Sequence, residues 1–346
     1  SVVDELEFLS KTYGARVFNF ADSSFEDPGK IGKIRAGEIC QEIIRRRLPI
    51  SAKVYMRCET FKSEEDLELL RVYKRAGIDI VIPGVEAGND DELKLYGKNA
   101  TTEDNLTTLR ILKDLDLFFV LPGFIMFGPN STVESIKSNL AFLIECGHTD
   151  NLMVLGNVLI LLRDSNLYRS LVQEERVTED VSRFWELPRY TFLDPRAERL
   201  SKHWQYGRIY STYPDALEVS NLQVNIGNLA ARMTNPMNME ILDALGNEFA
   251  EFKAAQADLC FSFGELQYEY FMKTIELVER DGADEELDVS GDEFFGKTHS
   301  HYLPIYSRLY NDFLDRIRTE KFSLGGLIFK AFHSAMDEKD SEKFTV

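Results

Sequence analysis

The first half of the chain alternates helical stretches with short apolar runs. Val2, Leu6, Leu9 and Tyr13 recur at the spacing of one helix face, and Gly14 stands where a left-handed helix cap is preferred. An apolar run follows this helix, and the same order repeats along the chain. Alternation of this kind is typical of β-α units with parallel strands.

Five apolar runs are predicted to be strands. They cover residues 16–20, 51–57, 78–85, 117–126 and 152–161. The run 78–85 is strongly apolar, which indicates burial on both faces, as in a parallel sheet covered by helices. Five such units in a row predict an α/β fold, a partial (β/α) barrel.

Helices are predicted between these strands over 33–47, from 63 onwards, over 103–115 and from 131 onwards. Two of them open with the spacing of a capping box, in which a hydroxyl and a carboxylate three residues apart cap each other's backbone N–H groups. The pairs are Ser63 with Asp66 and Ser131 with Glu134. These signals fix where the two helices should begin.

The alternation stops near residue 165, and helical patterns dominate from there on. Residues 238–279 read as one long helix or two, and 299–318 as another. The acidic stretch 281–293 contains two glycines and is predicted to be a surface loop. We therefore expect a partial barrel over 1–165 and a mainly helical domain over 166–346.

Composition narrows the classes of protein that remain. The 346 residues are 44% hydrophobic, enough for a sizeable core, and 58 acidic against 40 basic residues give a formal charge of −18. Such a surface repels phosphates, which argues against nucleic acid and anionic membranes as partners. No apolar run approaches the about 20 residues of a membrane-spanning helix. Four well-separated cysteines show no metal-ligand spacing, and a reducing cytoplasm fits them best.

Unusual segments follow four of the predicted strands, where folds of this type place their chemistry. In chain order they are Phe20-Ala-Asp-Ser-Ser-Phe25, Arg57-Cys-Glu59, Gly84-Val-Glu-Ala-Gly-Asn89 and Gly123-Phe-Ile-Met-Phe-Gly-Pro129. Together, over residues 1 to about 162, they resemble the radical S-adenosylmethionine (SAM) superfamily, in particular the branch with methylthiotransferases and cobalamin-dependent enzymes. The corresponding family segments read F-x-D-D-x-F, R, G-x-E-S-G-S and G-F-I-x-G-x-P-x-E-T.

The resemblance implies a role for seven residues. It implies that Glu86 accepts hydrogen bonds from the ribose hydroxyls or the amino group of SAM, and that Gly84 and Gly88 let the backbone approach the ligand. Ile125 and Gly128 would border the adenine. Arg57 and Asp22 would face the cavity and hold the SAM carboxylate or the substrate.

Several positions depart from the family pattern. Ser23 stands where a second carboxylate is frequent, and Ala87 and Asn89 replace the usual serines. Arg163-Asp-Ser165 stands where many relatives have Pro-Gly-Thr. These departures leave the identity of the substrate open.

The family's defining motif, C-x3-C-x2-C, does not occur in this sequence. Its three thiolates hold a [4Fe-4S] cluster whose fourth iron binds SAM. In relatives it precedes a helix like the one over residues 2–13, so we expect the cluster ligands, and a cobalamin-binding domain where there is one, upstream of Ser1. The intact enzyme would then generate a 5′-deoxyadenosyl radical and use it for cobalamin-dependent methyl transfer or the modification of a natural product. Its partners would be a small-molecule or peptide substrate and an electron donor such as flavodoxin or ferredoxin.

Two alternatives remain at this stage. One is a catalytically silent barrel that acts as a binding or partner subunit. The other is an unrelated barrel enzyme such as an aldolase or isomerase, against which stands the lack of a suitable lysine, or of a carboxylate with a histidine, at the strand ends.

Plainer roles compete for individual residues. Arg57 is able to pair with Glu59 or Asp22, and Cys58 fits a small buried side chain better than a ligand. The side chains of an aromatic-rich stretch are predicted to form a hydrophobic core between domains and not to line a pocket. Three histidines are predicted to lie in the core or in solvent. The aromatic residues are Trp185, Tyr190, Trp204, Tyr206 and Tyr210, and the histidines are His203, His299 and His301.

Overall fold

The computed structural model describes residues 1–179 and 187–319. Its main sheet has the order β1-β2-β3-β4, all parallel, and a short β5 pairs with β3 beyond β4. The strands are β1 (Val17–Asn19), β2 (Ser51–Met56), β3 (Ile78–Glu86), β4 (Phe119–Val120) and β5 (Gly123–Phe124). Strand β3 is paired on both sides. The predicted α/β partial barrel is confirmed.

Helices connect these strands and cover the outer face of the sheet. They are α1 (Val2–Tyr13), α2 (Lys30–Arg45), α3 (Glu64–Arg75), α4 (Asp90–Leu95), α5 (Thr102–Leu115), α6 (Val133–Cys146) and α7 (Leu152–Leu155). Along β2, Ala52, Val54 and Met56 pack into the core under these helices, whereas Lys53 and Tyr55 lie half-buried on the opposite face. This alternation follows from the two-residue period of a strand, and it makes the second face the barrel interior.

The predicted helix caps are confirmed in part. Gly14 ends α1 with a φ of 70°, and Ser63 forms the expected capping box with Asp66. At α6 the N-cap is Thr132, paired with Ser135, so the prediction of Ser131 with Glu134 was wrong by one residue. The side chain of Ser131 instead accepts a hydrogen bond from the backbone N–H of Gly128 at 2.9 Å.

Two predicted strands are shorter in the structure. The run 117–126 is split into β4 and β5 around Pro122, a residue without the N–H that a continuous ladder needs. The prediction of a strand over 152–161 was wrong in its first half, where α7 begins at Asn151, whose side chain accepts from the Met153 N–H at 2.9 Å. Only Val158 of this run forms a parallel bridge, to Phe127.

Helices dominate the second half of the described chain. They are α8 (Asn166–Gln173), α9 (Pro195–Trp204), α10 (Tyr206–Thr212), α11 (Pro214–Met233), α12 (Met239–Leu245), α13 (Asn247–Glu279), α14 (Asp284–Lys297) and α15 (Leu303–Thr319). A small antiparallel pair, β6 (Val177–Glu179) and β7 (Arg189–Tyr190), precedes α9. The predicted mainly helical character is confirmed. Among the described residues, no helix combines the length and the apolar character that crossing a membrane requires.

The prediction of a surface loop over 281–293 was wrong, because this stretch forms most of α14. Three acidic residues lie in its first turn, where the helix dipole favours negative charge. Leu287, Phe294 and Phe295 are buried against the rest of the protein. The alternation of charge with buried side chains is therefore that of an amphipathic helix. The run 238–279 forms two helices, which Gly246, with a φ of 51°, separates.

One hydrophobic core joins the sheet to the helices that follow it. Phe124 and Phe127 of the barrel belong to the same buried cluster as Trp204 and Phe271, whose rings stack at 4.3 Å. The prediction of a core position is confirmed for Trp204, and Trp185 lies outside the described residues. Because this core is continuous, the domain boundary near residue 165 stays a prediction.

A buried ion pair ties the beginning of β3 to the helical region. Asp79 is fully buried, and its carboxylate lies 2.7 Å from Lys74 Nζ and accepts from Asn235 Nδ2, also at 2.7 Å. Lys74 donates in addition to the carbonyl of Ala231, at the end of α11. Burial lowers the pKa of Lys74, and Asp79 opposes this shift. The pair fixes α11 against the lower end of the sheet.

Asp79→Asn is expected to lower the free energy of unfolding by about 3–5 kcal/mol, because it leaves the charge of Lys74 buried without its counterion. Urea unfolding measures the loss. The double variant Asp79→Leu/Lys74→Met should recover most of it, since it removes both charges. Glu68→Gln, in the exposed pair with Arg75, is the control and should cost less than about 1 kcal/mol. Equal stability of Asp79→Asn and the parent would contradict the assignment.

Candidate active site

The carboxyl ends of β3 and β5 border an open cavity of about 710 Å³. Glu86, Tyr96, Lys98 and Ile125 line it on the side of the sheet. The segment 157–162 lines the opposite side and contributes mostly apolar side chains. Because parallel strands end at one edge, residues far apart in the sequence meet here, as the strand-end prediction required.

Glu86 ends β3 in a left-handed conformation with a φ of 64°. Few residues other than glycine adopt this conformation, and those that do are held in it by their surroundings. Here the carbonyl of Glu86 accepts from the Ile125 N–H at 2.8 Å, and its carboxylate lies 2.8 Å from Lys98 Nζ. The backbone turn therefore places a charged pair at the edge of the cavity.

Two glycines leave room for the side chains at this edge. A Cβ at Gly84 would lie 3.1 Å from Glu86 Oε1 and 3.2 Å from Lys98 Nζ, and one at Gly128 would lie 2.3 Å from the hydroxyl of Tyr96. Gly88 instead packs against α6, where a Cβ would lie 2.5 Å from Cβ of Phe142. Contact of these glycines with a ligand stays a prediction.

Arg57 and Asp22 lie outside the residues that line this cavity. Arg57 pairs with Glu59, to which its Nε donates at 2.8 Å, so the plainer of its two interpretations is confirmed. Asp22 is exposed on the loop after β1. The structure thus brings Glu86 and Ile125 together at one cavity, and the roles of Arg57 and Asp22 toward a ligand stay predictions.

Three residues of the cavity had no role assigned from the sequence. Lys98 and Tyr96 follow the Glu86 segment, and the buried hydroxyl of Tyr96 has no hydrogen-bond partner among the described residues. Asn157 holds the opposite wall, since its carbonyl accepts from the N–H groups of Met126 and Phe127, both at 3.1 Å. No local sequence signal marks Asn157, because its partners lie about thirty positions away in the sequence.

A second cavity, also of about 710 Å³, shares Asn157 and Val158 with the first. It extends into the barrel interior, where Ile82 and Phe124 form part of an apolar lining. Lys53 is the charged side chain among its lining residues, and it has no carboxylate partner in the described part of the chain. The two cavities therefore adjoin at Asn157 and Val158.

These residues fit SAM and do not fit an iron–sulfur cluster. A carboxylate, an ammonium group, an unpartnered buried hydroxyl and an apolar wall are the groups that a charged nucleoside with an amino acid tail requires. Cys40 and Cys58 are fully buried, and burial raises the pKa of the Cys40 thiol to about 12 and that of Cys58 higher still. Within residues 1–179 and 187–319, no three His, Cys, Asp or Glu side chains form a group that would hold a metal ion.

The histidines singled out from the sequence occupy ordinary positions. His203 is buried and bonded to the hydroxyl of Tyr270. His299 is exposed and lies 2.8 Å from Asp215. The predicted core or solvent roles are confirmed for both.

A buried carboxyl, Glu26, supports the loop after β1. It accepts a hydrogen bond at 2.7 Å from the backbone N–H of Arg57, at the end of β2. Burial raises the pKa of Glu26 to about 7, and the Arg57 N–H opposes this shift. The loop and the strand end are therefore joined through a group that ionises near neutral pH.

Glu26→Gln is expected to make the protein more stable at alkaline pH. A carboxyl whose pKa is higher in the folded protein than in the unfolded chain makes the folded protein less stable as the pH rises. The loss of stability occurs between the pKa of the unfolded chain, near 4.5, and that of the folded protein, about 7. The loss amounts to about 3 kcal/mol. Denaturant unfolding should show the two proteins alike at pH 4 and the variant more stable at pH 8. Asp27→Asn, at an exposed carboxylate, is the control. A variant that is less stable at pH 8 would contradict the account.

Comparison with known proteins agrees with this geometry. Residues 1–143 match the family model "Radical SAM superfamily". Anaerobic magnesium-protoporphyrin IX monomethyl ester cyclase of Cereibacter sphaeroides is 32% identical over 136 residues, which are 39% of this chain and 21% of the cyclase. The 4′-phospho-dehydrooxetanocin synthase of Priestia megaterium is 32% identical over 144 residues, 38% of this chain and 19% of the synthase. The matched segments thus span only about a fifth of these relatives.

A solved structure shows the same fold over more of the chain. The cobalamin-dependent SAM radical enzyme OxsB, with aqua-cobalamin bound, superposes with a TM-score of 0.54. The superposition covers 86% of this chain and 54% of OxsB, with 18% identical residues. The likeness therefore extends beyond the sheet into the helical region. The prediction of a family of enzymes is confirmed, since the relatives are a cyclase and a synthase. The likeness to the radical SAM superfamily thus lies in residues 1–143 of this chain.

Proposed function

We propose that this chain forms most of the barrel wall of a radical SAM enzyme and binds SAM in the cavity of Glu86. The observation that carries the proposal is Glu86 itself. A strained, left-handed residue ends the central strand and holds its carboxylate at the edge of a cavity that has the size and lining for a nucleoside.

Different residues of the cavity would bind different parts of the ligand. Glu86 would accept hydrogen bonds from the ribose hydroxyls or the amino group, and Lys98 would pair with the carboxylate of the methionine part. Ile125 and the segment 157–162 would exclude water from the adenine. Tyr96 would donate its unpartnered hydroxyl proton to the ligand. In the free protein Lys98 neutralises Glu86, so binding exchanges one charge-assisted contact for two.

The reaction that we propose is that of the superfamily. Bound SAM would supply a 5′-deoxyadenosyl radical for hydrogen abstraction, at a [4Fe-4S] cluster whose ligands are other than the four cysteines of this chain. An electron donor such as flavodoxin or ferredoxin would be required. The fold likeness to OxsB supports a place in the cobalamin-dependent branch, with methyl transfer or modification of a natural product as the outcome.

The second cavity would hold the substrate. It adjoins the first at Asn157 and Val158, so a substrate there would lie next to the SAM site inside the barrel. The lining is mostly apolar, and Lys53 supplies one positive charge. We therefore propose a small-molecule substrate with an apolar body and one anionic group.

Iron and sulfide content, the visible absorption spectrum and release of 5′-deoxyadenosine test the proposal. The natural full-length protein should acquire a cluster on anaerobic reconstitution and cleave SAM when reduced. A protein that acquires no cluster and leaves SAM intact would support the silent barrel in its place.

Glu86→Gln is expected to weaken SAM binding about 10- to 100-fold, because it removes the charged acceptor for the ribose hydroxyls or the amino group. Isothermal titration of the reconstituted protein measures the affinity. Glu68→Gln, in the exposed pair with Arg75 outside this cavity, is the control and should bind like the parent. Unchanged affinity in Glu86→Gln would remove Glu86 from the site.

Lys53→Met should leave SAM affinity unchanged and raise the KM for the natural substrate at least about tenfold, because a charge-assisted contact is lost. Steady-state kinetics measures the effect. Lys53→Arg should lie closer to the parent, since it keeps the charge. An unchanged KM in Lys53→Met would contradict the anionic substrate group.

A further inference from the structure

We infer that Glu92 is a positioning residue for the SAM site, which holds the loop 84–89 and the loop 128–131 at a fixed separation. The inference rests on the proposed function, since these loops flank the cavity of Glu86. Glu92 lies on α4 outside the cavity lining, and only 6% of it is exposed. It therefore acts through other residues and does not contact the ligand.

Both carboxylate oxygens of Glu92 are saturated by neutral donors. Oε1 accepts from the hydroxyls of Ser131 and Ser135, both at 2.9 Å. Oε2 accepts from the side-chain amides of Asn89 at 3.0 Å and Asn139 at 2.9 Å. A buried charge without a cation is costly unless several hydrogen bonds compensate for it. Four donors from two loops and α6 provide that compensation.

The network continues from Glu92 to the backbone of each loop. Ser131 donates its only proton to Glu92, and its oxygen accepts from the Gly128 N–H at 2.9 Å. Asn139 donates to Glu92 in the same way, and its carbonyl oxygen accepts from the Gly88 N–H at 2.7 Å. Because Ser131 and Asn139 both donate to Glu92, the oxygen of each is oriented to accept from the backbone N–H of Gly128 or Gly88. Gly88 lies two residues beyond Glu86, and Gly128 lies against Tyr96.

The arrangement is testable by moving the carboxylate from position 92 to position 131. Pro129 and Thr132 match the Pro and Thr of the family segment G-x-P-x-E-T, so Ser131 stands where that segment has a carboxylate. In this chain the carboxylate reaches Ser131 from α4. The double variant Glu92→Val/Ser131→Glu moves the carboxylate from α4 to position 131 and keeps one buried carboxylate between the same loops. This variant should therefore restore part of the loop order that Glu92→Val alone removes.

Amide hydrogen exchange, which requires no ligand, provides the first readout. Glu92→Val should raise the exchange of peptides that contain Gly88 and Gly128 at least about tenfold, because Asn139 and Ser131, which accept from these N–H groups, lose the carboxylate that orients them. The double variant should return toward the parent. Asp104→Asn removes a capping carboxylate of α5 outside these loops and is the matched control, with no change at either peptide. Unchanged exchange in Glu92→Val would overturn the inference.

SAM affinity provides the second readout. Glu92→Val should bind SAM about 10- to 100-fold more weakly, as for other residues that orient a ligand contact. Asp104→Asn should lower the unfolding temperature without a change in SAM affinity, which separates positioning from general stability. Equal losses of affinity in both variants would overturn the positioning role.

The two proposals fail separately. A parent protein that does not bind SAM would contradict the proposed function, while the exchange data would still show whether Glu92 holds the loops. If Glu92→Val does not fold, Glu92→Gln, which keeps the side-chain volume but replaces one acceptor oxygen with a donating amide, takes its place. Faster exchange at the Gly88 or the Gly128 peptide supports the inference in that case, and unchanged exchange at both overturns it.

Discussion

Strand β3 is hydrogen-bonded to a strand on each side, and the site depends on this one constraint. The buried ion pair of Asp79 and Lys74 anchors the beginning of β3, and Glu86 is the last residue of this strand. Pairing with β5, in which Glu86 lies opposite Phe124 and its carbonyl accepts from the Ile125 N–H, holds the left-handed backbone of Glu86 in place. The position of the carboxylate is therefore set by the whole sheet and not by a flexible loop.

The same constraint explains why the site could be located from the sequence. Parallel strands that are buried on both faces produce apolar runs, and such runs end at one edge. The apolar runs therefore placed Glu86 and Ile125 at strand ends, and the structure brings both residues to one cavity, while their roles toward a ligand stay predictions. Gly14 and the pair of Ser63 with Asp66 were equally readable, because each depends on residues within one turn of helix.

The features that the sequence did not reveal depend on distant contacts. Glu92 has the sequence pattern of a surface residue on an acidic helix, and donors about forty positions away, Ser131 and two residues of α6, make it a buried acceptor. Glu26 is buried, and its carboxyl accepts from the backbone N–H of Arg57, about thirty positions away. The acidic stretch of α14 is helical because Phe294 and Phe295 pack into a core that other helices form. The local sequence pattern does not indicate such distant contacts.

The geometry also suggests how the two halves of the chain cooperate. The continuous core around Trp204 and Phe271 attaches the helical region to the strands that end at the cavity. Glu86 and Lys53, on neighbouring strands, line two adjoining cavities. In the proposed function the first of these cavities holds SAM and the second holds the substrate.

The most direct test of the account is an anaerobic crystal structure of the full-length protein with SAM bound. The account predicts that SAM lies in the cavity between Ile125 and Asn157, with a hydroxyl or amino group within hydrogen-bond distance of Glu86 and its carboxylate near Lys98. SAM bound elsewhere, with Glu86 still paired only to Lys98, would contradict it.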